Sequence, residues 1–209
     1  MRKVASGRTR RNGVELDVID ATVRCLATGE SFTSLGVQRI CDEAGVARSA
    51  FYKNFTDKTD LLQKLVHTAT DSLFDTACAW ATSGEGKQEM IAAHANTVRV
   101  WREHTPILNA YFEVARRDPE LARVWDDRIR TVVALMRDRI VAGQRDGRVS
   151  RAIDPQPVAE FLVYGFERRT GQHIASRPES KDAEFVRSIS EIGWMLIYGT
   201  PPPEDEPAR

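Results

Sequence analysis

From Val14 to Leu26, the apolar residues Leu16, Ile19, Val23 and Leu26 recur at spacings of three and four, the rhythm of one helix face. The cluster Thr28-Gly29-Glu30-Ser31 ends that run. Two short helical stretches follow at residues 37–44 and 47–54, with Gly45 between them. A longer one starts near Asp57, passes through Leu61, Leu62, Leu65 and Leu73 toward Trp80, and stops at Ser83-Gly84-Glu85-Gly86. Residues 88–103, 106–117, 119–145, 155–175 and 181–198 predict five more helices. Pro106, Pro119 and Pro155 stand at helix starts, where a missing N–H costs nothing. The clearest stripe is Leu121, Trp125, Ile129, Val132, Met136 and Ile140. Strand alternation is nearly absent, so the pattern predicts an all-α fold of about nine helices.

Composition narrows the class. The chain has 209 residues, 42% of them apolar and 29% charged, which suits one globular domain, or a small and a larger one, and excludes a disordered or fibrous chain. No apolar run is long enough to span a bilayer, and Met1 is followed by a polar arm with no apolar leader, so a cytoplasmic protein with no membrane contact is expected. Cys25, Cys41 and Cys78 are widely spaced and read as small buried residues. His67, His94, His104 and His173 have no ligand spacing. Neither a metal, a cofactor nor a catalytic constellation is expected, which argues against an enzyme.

The formal net charge is zero, with 30 basic and 30 acidic residues, and taken alone that speaks against a nucleic-acid binder. The distribution is uneven. Residues 1–64 carry 11 Lys and Arg against 8 Asp and Glu, and residues 65–209 carry 19 against 22. Arg2, Lys3, Arg8, Arg10 and Arg11 precede the first acidic residue, Glu15, so residues 1–13 read as a flexible basic arm, either solubilising or nucleic-acid binding. Residues 201–209, with Glu204, Asp205 and Glu206, read as a disordered acidic tail.

Residues 32–65, FTSLGVQRICDEAGVARSAFYKNFTDKTDLLQKL, carry the specific signal. A short helix with Val37, Ile40 and Cys41 inward, then Ala44-Gly45, then a second short helix, have the layout of a helix-turn-helix. Gly45 suits a turn through positive φ, and Ala44 suits the close approach of two steeply crossing helices. On the second helix Arg48, Ser49, Tyr52 and Lys53 share one face, while Phe51 and Phe55 point to the core. Lys58 opens the next helix, where its charge and the free backbone N–H groups favour a phosphate.

At these residues the chain resembles the TetR family of bacterial transcriptional regulators. The matching positions are Ala44-Gly45-Val46, Phe51-Tyr52, Phe55, Asp57-Lys58 and Leu61-Leu62, and the likeness is specific over roughly residues 15–65. The ARRDPELARVW segment, Ala115 to Trp125, and the helix order resemble the family's regulatory domain more loosely. The resemblance implies a DNA-binding domain over 14–65 and a ligand-binding and dimerisation domain over 66–200. It implies that Arg48, Ser49 and Ala50 face base edges and that Tyr52 and Lys58 hold phosphates, assisted by Lys53. It further implies a homodimer through residues 155–175 and 181–198, a palindromic double-stranded DNA operator, and a small hydrophobic effector that shifts the helix beginning near Asp57 and releases the DNA. Two positions depart from the family pattern. Gly36 replaces the usual Ser or Thr, so a helix cap and a phosphate hydroxyl are absent, with Ser34 expected to supply the lost contact, and Ala47 stands where Ser is common. In this context Arg8, Arg10 and Arg11 are expected to reach the adjacent minor groove.

The large aromatics concentrate after the head. Trp101, Phe112, Trp125, Ile129, Met136, Phe161 and Tyr164 are the candidate effector pocket, with ordinary core packing as the alternative for each. Glu167 with Arg168 reads either as an internal ion pair or as a solvated face, and Gly165 and Gly193 read as sites of close helix approach across a dimer. The expected function is a ligand-responsive repressor. The rivals are an all-α small-molecule carrier and a ligand-independent DNA-binding regulator.

Overall fold

In a computed structural model the backbone is described over residues 4–83 and 86–199, and side chains within that range from Gly13 onward. Among the described residues all regular structure is helical: α1 (Val4–Ala27), α2 (Val37–Ala44), α3 (Arg48–Phe51), α4 (Lys58–Ser83), α5 (Lys87–Glu103), α6 (Thr105–Ala115), α7 (Pro119–Arg145), α8 (Pro155–Ser176) and α9 (Asp182–Tyr198), with a 3-10 turn at Glu179–Lys181. The fold class and helix count follow the hydrophobic pattern closely. Pro119 and Pro155 open α7 and α8, and the Asp before each caps it: Asp118 Oδ1 accepts from the N–H groups of Glu120 and Leu121, and Asp154 Oδ1 from that of Gln156.

Two expectations at the N-terminal end are corrected. The backbone from Val4 already winds as α1, so a helix occupies most of the stretch expected as a flexible arm. The side chains of Arg8, Arg10 and Arg11, like residues 201–209, lie outside the described residues. The buried face of α1 is also rotated from the expected stripe. Val18, Ala21, Thr22, Cys25 and Leu26 are buried, and Leu16 is 58% exposed. Ala, Thr and Cys contribute little to a hydrophobic pattern, but small residues let helices approach closely, and the Thr22 hydroxyl is satisfied by the Val18 carbonyl at 2.7 Å.

The chain forms two compact units. Met1–Asp71 and Glu103–Asp126 make the first, Ser72–Arg102 and Asp127–Arg209 the second, so α6 and the first turns of α7 belong with the head. In the first unit α1 packs against α2, α3 and α6. Phe32, Phe51, Phe55, Leu61 and Leu62 are fully or almost fully buried there, each burial stabilising by about 1.5–3 kcal/mol. Tyr111 is completely buried and its hydroxyl is doubly used, donating to the Leu121 carbonyl at 2.5 Å and accepting from the Trp125 N–H at 3.2 Å.

The second unit is a helical bundle around Met90, Val98, Met136, Ile140, Ala159 and Ile197. Several of its polar groups are paired in the interior. Asp182 accepts from Arg102 at 2.6 and 2.8 Å and lies 2.8 Å from His173 Nε2, whose ring stacks on Phe185. Arg139 lies over the Trp80 ring and donates to the Trp80 carbonyl and the Tyr198 hydroxyl. The close approach in α8 is at Gly171, where a Cβ would stand 2.9 Å from Trp101 Cζ3. Gly165 has open space around it and Gly193 makes only ordinary contact with Leu162 and Met90. Arg168 and Arg169 are exposed, and Arg169 donates to Gln172 at 2.6 Å.

Candidate nucleic-acid interface

The turn between α2 and α3 is built on Gly45, which has φ +66. Its N–H donates to the Asp42 carbonyl and that of Val46 to the Cys41 carbonyl, closing the end of α2 in the left-handed geometry that glycine takes without strain. Gly36 and Ala47 sit at the N-caps of α2 and α3 in extended conformation, and neither offers a side-chain cap. α3 is α-helical over four residues only, shorter than the predicted 47–54. Its winding continues through a turn in which the backbone N–H groups of Asn54 and Phe55 donate to the Phe51 carbonyl at 2.9 Å, and Asn54 Nδ2 donates to the Ala50 carbonyl at 2.8 Å.

Phe51 is 0% exposed and Phe55 1%, with ring centroids 5.2 Å apart, and this pair anchors the short helix from below. Above it, Arg48, Ser49, Tyr52 and Lys53 are exposed and Ala50 is half-buried. Arg48 Nη2 donates to the Tyr52 hydroxyl at 3.3 Å and its guanidinium lies over that ring, so the two are associated before any ligand arrives. Ser34 is exposed on the turn before α2, its hydroxyl donating to the Ser31 carbonyl at 3.0 Å.

Lys58 departs from its expected place on the phosphate-binding surface. Its ammonium is turned inward and donates to the carbonyls of Phe32 at 2.7 Å, Thr33 at 3.2 Å and Leu35 at 2.9 Å, which takes all three of its hydrogens. Burial pushes this ammonium below the ordinary lysine range. The start of α4 is occupied as well: Asp57 Oδ1 accepts the Asp60 N–H at 2.8 Å, and Asp60 Oδ2 accepts the Thr56 N–H at 2.9 Å. Asp57 thus occupies one free N–H in the first turn of α4 and Asp60 holds the N–H of Thr56 just before it, next to the place where a phosphate was expected.

Two contributors were not legible in the sequence. Lys64 donates to the Asn54 carbonyl at 2.9 Å and lies over Phe55, closing the end of α3 from α4. Glu113 of α6 accepts from Thr33 Oγ1 at 2.6 Å and from Ser31 Oγ at 3.0 Å, and these hydroxyls hold its carboxyl below the usual range. No local spacing signals a bond that spans about 80 residues of chain.

The candidate effector residues divide between the units. Phe112 and Trp125, in the first, pack edge to face at 5.2 Å beside Tyr111. Trp101, Ile129 and Met136, in the second, are buried, while Phe161 is 67% and Tyr164 42% exposed on α8. In the second unit a groove of about 260 Å³ is lined by Arg130, Val133, Ala134, Arg137, Gln156, Glu160 and Tyr164. Of the residues expected to line an apolar pocket, Tyr164 alone faces this groove, which mixes charged and apolar side chains. Among the described residues no group of His, Cys, Asp or Glu is arranged to hold a metal ion, and no helix is long and apolar enough to cross a membrane.

Residues 18–65 match the family model of bacterial regulatory proteins, tetR family. No curated protein matches the chain in sequence. Among solved structures it is similar to SmeT, the repressor of the Stenotrophomonas maltophilia multidrug efflux pump SmeDEF, at 14% identity and TM-score 0.69, over 92% of this chain and 97% of that one. A SmeT–triclosan complex aligns at 16% identity and TM-score 0.70, over 94% and 99%. The transcriptional regulator FadR from Bacillus subtilis, in complex with stearoyl-CoA, aligns at 15% and 0.69, over 88% and 98%. At these identities the likeness shows the fold. The tetR-family match thus covers the helix-turn-helix head, residues 18–65, and along the rest of its length the chain is similar to these structures in fold.

Proposed function

We propose that this chain is a ligand-responsive transcriptional repressor that binds a near-palindromic DNA operator as a homodimer and releases it when a hydrophobic small molecule enters its helical domain. The observation that carries this is the outward face of α3. Arg48, Ser49, Tyr52 and Lys53 are presented together on a helix anchored by two buried phenylalanines, within a head that matches a family of DNA-binding regulators. A short helix projecting donors in this way suits the major groove, with Arg48 at base edges and Tyr52 on the backbone. Exposed Phe161, Tyr164, Ile192, Met195 and Leu196 on α8 and α9 support a self-complementary apolar interface there. A two-fold dimer calls for a two-fold operator. Structures of SmeT with triclosan and FadR with stearoyl-CoA support an effector with a large apolar part.

The test begins with duplexes selected by the full-length protein from a random-sequence library. Tyr52→Ala should weaken binding with little change in the slope of log K against log salt, because the contact it removes is uncharged, whereas Lys53→Ala should reduce that slope by about 0.9 for each phosphate no longer neutralised. Arg48→Ala should change which bases are selected. Triclosan and stearoyl-CoA serve as the first effector probes, with release of bound duplex as the readout. Absence of salt-dependent DNA retention at micromolar protein would sink the proposal in favour of a small-molecule carrier.

A further inference from the structure

The turn leading into α2 has an unusual number of long-range tethers. Within it, the N–H groups of Ser34 and Leu35 donate to the Ser31 carbonyl. From α4, Lys58 gathers three of its carbonyls and lies 4.9 Å from the centre of the Phe32 ring. From α6, Glu113 takes the hydroxyls of Ser31 and Thr33, which also lie 2.7 Å from each other. Meanwhile α2 starts at Gly36 with no side-chain cap to settle its first turn locally.

We propose that Glu113 is a positioning residue for DNA binding: from α6 it clamps the 31–35 turn against Lys58 and so fixes the place from which α2, which has no side-chain cap, begins. A carboxylate is an acceptor only and each hydroxyl has one proton: Thr33 gives its own to Glu113, and Ser31 gives its own to Glu113 or to Thr33, so the three groups form one network on an ionised acceptor, whose bonds are the shorter and stronger kind. The turn is held on its carbonyl side by a cation and on its hydroxyl side by an anion. Its position therefore sets where Ser34 and the first turn of α2 stand relative to α3 in the head. Glu113 itself touches no nucleic acid in this scheme. The proposal rests on the head being a DNA reader, and its test separates the two.

Glu113→Gln keeps an acceptor oxygen for the hydroxyls and loses the charge; Glu113→Ala loses both. A role in positioning makes Glu113→Ala bind the selected duplex roughly fivefold or more weakly than Glu113→Gln, the lower end of ordinary coupling between sites. Simple relief of repulsion between a carboxylate and DNA moves both variants alike. The paired Ser31→Ala and Thr33→Val changes should reproduce the loss and add little to it when combined with Glu113→Ala. In free protein, amide hydrogen exchange over residues 31–38 should accelerate in Glu113→Ala and stay near wild type in Glu113→Gln. Unchanged exchange in Glu113→Ala overturns the clamp. Faster exchange with equal affinities for the two variants overturns its part in DNA binding. Wild-type protein that retains no duplex overturns the DNA-binding reading itself, whatever the exchange shows.

Discussion

Lys58 shows how a side chain singled out for one partner can be held by others. Its place after Asp57, at the start of a helix, suggests a phosphate ligand, and nothing nearby in the sequence shows that three carbonyls 23 to 26 residues earlier will claim its ammonium. The consequence is measurable. Lys58→Met should lower stability by about 1–3 kcal/mol, because half-buried carbonyls lose a charged donor. The salt slope of DNA binding should not change. A slope reduced by about 0.9 per head with unaltered thermal stability would return Lys58 to the phosphate backbone. The reading face of α3 differs from Lys58 in one respect: Arg48, Ser49, Tyr52 and Lys53 are exposed as their one-face spacing predicts, because a short helix with two buried aromatics can be oriented in only one way.

At the scale of elements, helix identity was legible nearly throughout and helix faces less so. Apolar spacing, prolines at helix starts and glycine breaks placed the helices, but the buried face of α1 uses Ala21, Thr22 and Cys25, which a hydrophobic stripe undercounts. Glycines inside helices are similarly mute. Of three in α8 and α9, Gly171 is the one pressed by a neighbour, the buried ring of Trp101, and the sequence does not mark it because its partner lies on another helix. Gly171→Ala should destabilise by about 1–3 kcal/mol through overpacking, even though alanine favours the helix by about 1 kcal/mol. Thermal denaturation checks the sign, and a stabilised variant would mean that the ring can yield.

At the scale of the whole molecule, the exposed apolar residues of α8 and α9 make assembly the first property to measure. Phe161→Glu together with Ile192→Glu replaces side chains that are 67% and 50% exposed, so helix content should be kept. Sedimentation should shift from dimer to monomer, and affinity for a two-fold duplex should fall by an order of magnitude or more, since each head would then bind without its partner. A dimer that survives both changes would place the interface elsewhere. The charge balance belongs to this scale too. A net charge of zero describes the average over the chain, whereas any DNA affinity is local to the head and should fall steeply with salt despite that neutrality.

By itself the sequence determined the all-α class, the order of the helices, the helix-turn-helix with its obligatory glycine, and the polar face of α3. These depend on periodicity, backbone conformation and the burial of a few aromatics, all of which act over several residues of chain. Only the tertiary structure decided that Lys58 turns inward, that Glu113 reaches the 31–35 turn, that Trp101 lies on Gly171, and that Phe161 and Tyr164 are exposed on α8. Each of these is settled by which surfaces meet in space, and a hydrogen-bond donor or an aromatic ring has the same local signature whether its partner is another helix or solvent.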